Sequence, residues 1–166
     1  MRNEKLEVVR NHDYTVSIRD GKGREIVFRD ITGNDLEYLD RLFENDENKD
    51  SEKKIISFSD VQNILSRLSI DNFNFGSLTP RVISEIFSCI KDNILCNYVS
   101  KYSWLKMCYG MQNGSFMNVS NMENVPMTKF IAMAQIHREA MESMKSFCNH
   151  HTRKLNSLIQ QKRFMD

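Results

Sequence analysis

Apolar positions along this chain change their period several times, and each change marks an element. They alternate from Tyr14 to Ile18 and again from Glu25 to Arg29, with Asp20-Gly-Lys-Gly23 supplying turn residues between. That pattern predicts an N-terminal β-hairpin. Two strands alone are marginal in water, so the hairpin has to lie on helices or join another sheet. Beyond it the spacing switches to three and four. Thr32-Gly-Asn-Asp35 reads as a capping box with Asp in place of the usual Glu, opening a helix that carries Leu36, Leu39, Leu42 and Phe43 on one side. Ser59 is the expected cap of a second helix with Val61, Ile64, Leu65 and Leu68 on one face.

Thr79-Pro80 supplies N-cap and first position for a third helix, with Leu78 placed to staple onto Ile83. Its apolar face is Ile83, Ile86, Phe87, Ile90 and Ile94, and Phe73 and Phe75 in the preceding loop need burial. A fourth apolar segment from Tyr98 to Met111 holds the one tryptophan, Trp104, and residues 112–125 read as a connection. From Pro126 onward there is neither Gly nor Pro. A stripe with heptad-like spacing runs through Met127, Phe130, Ala134, His137, Met141, Met144, Cys148, His151, Leu155, Leu158, Lys162 and Met165. Pro126 suits a first helical position, and a continuous helix from there would be roughly 58 Å long. The fold class expected is therefore mostly α: an N-terminal β-hairpin, a helical domain over residues 1–125, and a long C-terminal helical arm over 126–166.

A helix of that length outruns a domain of this size, so part of its stripe is expected to find a partner outside its own fold. The proximal residues Met127, Phe130 and Ala134 are expected to pack beside Trp104 and Ile90. The distal ones, Met141, Met144, Cys148, His151, Leu155 and Leu158, form the expected protein-interaction surface. Polar residues on such a seam can fix register, and its histidines would make association sensitive to pH.

Composition narrows the functional classes. The net charge is +1, which offers no strong field to nucleic acid, anionic lipid or an acidic substrate. No stretch approaches the length of a membrane span, and the N-terminal residues lack the apolar run of a secretory signal. Cys89, Cys96, Cys108 and Cys148 sit in apolar helical patterns without paired spacing, so they read as reduced core residues of a cytoplasmic protein. Basic residues Lys145, Arg153, Lys154, Lys162 and Arg163 populate the arm, but Glu139 and Glu142 dilute them and no aromatic platform accompanies them.

Two groupings bear on chemistry. Asp46-Glu-Asn-Lys-Asp50-Ser-Glu52 spaces oxygen ligands as a calcium loop does, yet it lacks the central Gly, and Asp60 comes too late to close the site. In Cys148-Asn-His-His151 the two histidines point about 100° apart on a helix. No second pair completes a tetrahedral metal site. No Gly-rich phosphate loop, nucleophile elbow or paired catalytic carboxylates occur in the sequence. The expectation is a protein that is not an enzyme and carries no metal or cofactor.

One pattern matches a known group. The hairpin leads into Phe28-Arg-Asp-Ile-Thr-Gly-Asn-Asp-Leu36, and later come Trp104-Leu-Lys-Met107 and Met122-Glu-Asn-Val-Pro-Met-Thr-Lys-Phe130. This resembles the small tail-assembly and baseplate-hub proteins of T-even-like contractile-tailed phages, in which a hairpin followed by Arg-x-Leu/Ile-Thr and a helical body is common. The resemblance covers about two-thirds of the chain. It implies a structural or chaperone-like role in building a phage tail, in the virion or the host cytoplasm, with tail or baseplate subunits or a second copy as partners. The alternatives are a cytoplasmic adaptor that presents a helix to a partner coiled coil, or a small enzyme without a recognisable motif.

Overall fold

A computed structural model describes residues 6–21, 23–43, 56–111 and 119–163, with the backbone alone at 158, 159 and 161–163. The strands are β1 (Glu7–Arg10), β2 (Val16–Arg19) and β3 (Glu25–Phe28). The helices are α1 (Gly33–Phe43), α2 (Phe58–Leu68), α3 (Pro80–Asn93), α4 (Lys101–Met111), the single turn α5 (Val119–Met122) and α6 (Met127–Arg163). Short 3₁₀ turns occur at Phe75–Ser77 and Leu95–Asn97. The chain is mostly helical with an N-terminal antiparallel sheet, as its periodicity implies.

The hairpin β2–β3 is present and gains a third strand, giving the order β1-β2-β3. Leu6, Val8 and Val9 carry too short an alternation to announce β1 from sequence, but pairing of Glu7 to Arg10 with Val16 to Arg19 completes the sheet. On β2 and β3, Val16, Ile18, Ile26 and Phe28 enter the core. The chain leaving α2 continues the sheet briefly. Arg29 donates its backbone N–H to Leu68 O (2.9 Å), and Ile70 donates to Val27 O (2.9 Å).

The helix faces come out as their spacing implies. Leu36 and Leu39, then Ile64, Leu65 and Leu68, then Ile83, Ile86, Ile90 and Ile94 are all buried. Phe75 is buried too, its ring 6.1 Å from Phe28 and 5.1 Å from Phe73. Thr79 and Pro80 open α3 as N-cap and first residue. One helix start and one connection differ from expectation. Ser57, not Ser59, caps α2, because Asp60 is three residues on and closes a full capping box back to Ser57. Part of the expected connection over 112–125 is helical, as α5. The loop from Glu44 to Lys54, where calcium ligation was weighed, lies outside the described residues.

The start of α1 is the junction of the fold. Asp35 has a side chain only 2% exposed, and it accepts from both Nη atoms of Arg29 (2.6 and 2.9 Å) and from Nε of Arg67 (2.8 Å). It also accepts the backbone N–H of Thr32 (2.9 Å) and the Thr32 hydroxyl (3.1 Å). The expected box is thus half made: Asp35 reaches back to Thr32, while the Thr32 hydroxyl donates to Asp35 and does not cap the helix. Arg67 further donates to Asn34 O (3.2 Å) and lies over the Tyr38 ring at 5.2 Å. One carboxylate therefore ties the end of β3, the start of α1 and the end of α2.

Gly33, two residues before Asp35, is required by packing. A Cβ there would lie 2.6 Å from Cζ2 of Trp104, so the first turn of α1 sits directly against the indole. Lys101 bridges the same place, its Nζ 3.0 Å from Gly33 O and 4.5 Å from the centre of the Trp104 ring.

The electrostatics of Asp35 carry a pH signature. Burial pushes its carboxyl up, but the hydrogen bonds from Arg29 and Arg67 outweigh this and hold it down to about 2, against an ordinary 3.8. A depressed folded-state value contributes stability that is present above the unfolded value and is lost as pH falls through the folded one. For this shift the contribution is about 2 kcal/mol. Urea denaturation between pH 6 and pH 2 is expected to show stability falling below about pH 4. Asp35→Asn should flatten that fall and cost roughly 3–5 kcal/mol at neutral pH, since two arginines lose their counter-charge. An Asp35→Asn chain as stable as the parent at pH 7 would contradict this account.

Candidate interaction helix

The root of α6 is built into the body. Pro126 precedes the helix and does not form its first residue; its carbonyl accepts the first intrahelical bond, from Phe130 N–H (2.9 Å). Proline has no side-chain acceptor, so the next two N–H groups need partners from elsewhere. Met127 N–H goes to Ile31 O (2.7 Å) and Thr128 N–H to the Asp30 carboxylate (2.8 Å). Asp30 is 5% exposed, and burial raises its pKa against the lowering effect of these hydrogen bonds. The segment between β3 and α1 thereby caps a helix that begins almost a hundred residues later. Met127 and Phe130 are fully buried, and the Phe130 ring lies 5.7 Å from that of Trp104.

Two compact units result, divided between Ile131 and Ala132. Within the second, α6 runs unbroken to Arg163. The whole helix has 37 residues, or about 55 Å. The interaction residues expected from the seam fall on this unit. Met141 is 39% exposed, Met144 63% and Leu155 62%, while Cys148 and His151 are also exposed. Leu158 lies in the helix, but its side chain is outside the described residues. The His151 ring lies against that of Phe147, tilted by 41° with centroids 4.2 Å apart, a contact across one turn.

Three further apolar side chains share this exposure and lie off the heptad seam: Met133, Ile136 and Phe147. At about 100° per residue, Met133, Ile136, His137, Ala140, Met141, Met144, Phe147, Cys148, His151 and Leu155 fall in an arc of roughly 140°. Arg138, Glu139, Glu142, Lys145, Ser146, Asn149 and Arg153 fill the remainder. The arm has one apolar face, wider than the part of it that a heptad samples. The signal was present as Met133, Met144 and Leu155, and as Ile136 and Phe147, each eleven residues apart.

Other chemistry has been placed as well. Cys108 is buried, and burial pushes its thiol up to about 11, so it is protonated at neutral pH. Cys96 and Cys148 are exposed, contrary to the expectation of four core cysteines: one lies in a 3₁₀ turn and the other on the arm. Among the described residues no three His, Cys, Asp or Glu side chains converge as metal ligands, and no helix is long and apolar enough to cross a membrane. No protein-family model, curated protein or solved structure matches this chain.

The two units should respond differently to mutation. Phe130→Ala is expected to cost about 3–5 kcal/mol, as for a buried aromatic. Leu155→Asp should change body stability by no more than about 0.5 kcal/mol. Urea unfolding followed by Trp104 fluorescence checks both. Equal destabilisation by the two substitutions would mean that the distal arm is part of the core.

Proposed function

We propose that this protein is a non-enzymatic structural or assembly protein that works by offering the apolar face of its C-terminal helix to another protein. The observation that carries this reading is the exposure of Met144, Phe147 and Leu155 on one face of an unbroken helix. Large apolar side chains contiguous on one face mark interaction sites far more often than a scattered few do. Burying one such side chain is worth roughly 1.5–3 kcal/mol, so several together support a stable contact. The setting we infer is a contractile phage tail or its baseplate hub, and the resemblance of the Phe28–Leu36 and Met122–Phe130 segments supports it. There the body would serve as a rigid base and the arm as the element that joins a tail subunit.

The test is association during phage assembly. In cells producing contractile-tailed particles, the tagged full chain should co-sediment with tail or baseplate intermediates. Met144→Asp with Leu155→Asp should remove it from those fractions while leaving the body folded. Co-sedimentation unaffected by the double substitution would overturn the role of the arm. Absence of the parent chain from every tail fraction would overturn the phage setting.

A further inference from the structure

Resting on the reading of the arm as a protein-docking helix, the repeat and the charges of that arm say what kind of helix it takes. Of the six exposed large apolar residues among the described residues of the arm, a heptad seam holds Met141, Met144 and Leu155. An 11-residue repeat holds five: Met133, Met144 and Leu155 in one row, Ile136 and Phe147 in the next. Such a repeat corresponds to about 3.67 residues per turn, slightly more than the 3.6 of a straight helix, and favours a straight or right-handed pairing. A left-handed coiled coil would leave Ile136 and Phe147 outside its seam.

Charge then selects among occupants. Residues 132–166 carry six Lys or Arg and three Asp or Glu, a net +3, whereas the rest of the chain is −2. Among the described side chains the charges nearest the apolar face are Lys154 at one edge and Lys145 on the other flank, both exposed. Glu142 points away from that face at roughly 170° from its centre. Glu139 accepts from Gln135 (3.0 Å) and from the Ser143 hydroxyl through its carbonyl (2.9 Å). Two arms of this chain would set cation against cation. An anionic bilayer would have to receive His137, Cys148 and His151, which lie within the face. We propose that the arm docks against a partner-protein helix whose apolar stripe repeats every eleven residues and is flanked by Asp or Glu. Opposite charges along the flanks would set partner choice and speed encounter, while the apolar rows hold the pair together.

The test uses the full chain with synthetic helical peptides built from three 11-residue repeats. One carries Glu at the flanking positions, one Lys, and a third keeps Glu flanks on a heptad repeat. Vesicles of phosphatidylglycerol and phosphatidylcholine form a fourth arm, and sedimentation of the chain alone a fifth. The Glu-flanked 11-residue peptide should bind at least about tenfold more tightly than the other two, and the margin over the Lys-flanked peptide should shrink with added salt. Ile136→Asp with Phe147→Asp should abolish that binding, and Lys145→Glu with Lys154→Glu should reverse the preference between Glu and Lys flanks. Equal binding of Glu- and Lys-flanked peptides, preference for the heptad peptide, tighter binding to vesicles, a dimer of the chain alone, or binding to no peptide would each overturn the proposal. If the heptad or the Lys-flanked peptide wins, the arm is still a docking helix and only the character of its partner is wrong. The co-sedimentation experiment with Met144 and Leu155 decides the docking role separately.

Discussion

A buried carboxylate cannot stay charged without partners, and the body of this protein is arranged around one. Taking an ionised Asp out of water costs several kcal/mol unless hydrogen bonds and opposite charge replace its hydration. Asp35 has four such donors: two guanidiniums, a backbone N–H and a hydroxyl. Arg29 and Arg67 keep 36% and 42% of their side-chain surfaces in water, so the cations are only partly desolvated while the anion is buried. That asymmetry explains why the carboxyl is held down to about 2 despite its burial. It also joins three elements at one point, since Arg29 follows β3, Asp35 lies in α1 and Arg67 in α2.

The same short connection also roots the arm. Arg29 and Asp35 face α2, while Asp30 and Ile31 face the start of α6 and satisfy its first two N–H groups. Four residues, Arg29 to Thr32, thus couple the sheet, the second helix and the last helix. Because Pro126 offers no cap of its own, the beginning of α6 depends on the folded body. Past Ile131 the helix depends on its own hydrogen bonds and on whatever covers its face. Helical stability in proteins comes mostly from packing of an amphipathic face, so the distal arm is the less stable unit until that face is occupied.

Much of the fold was legible because period and caps are local. The spacing of Ile83, Ile86 and Ile90, the Thr79-Pro80 start and the turn at Asp20 to Gly23 each specify an element within a few residues. What escaped depends on distant partners. Leu6 to Arg10 becomes a strand only because β2 offers an edge. The donors to Asp35 come from Arg29 and from Arg67, thirty-two residues on, and Asp30 caps a helix far along the chain. On the arm the heptad found Met144 and Leu155 but passed over Met133, Ile136 and Phe147, because a straight helix presents a wider face than a coiled-coil seam. Cys96 and Cys148 were misplaced for a related reason: an apolar neighbourhood in sequence does not by itself bury a thiol.

The central claim is that one chain holds a body stabilised from within and an arm whose apolar face is open to a partner. Amide hydrogen exchange of the isolated full chain, resolved along the sequence, tests it most directly. The account predicts strong protection in α2, α3, α4 and the first turn of α6, and a fall to weak protection beyond Ile131, since an uncovered helix opens locally at little free-energy cost. Protection of the distal arm equal to that of α3 in a monomeric chain would contradict it.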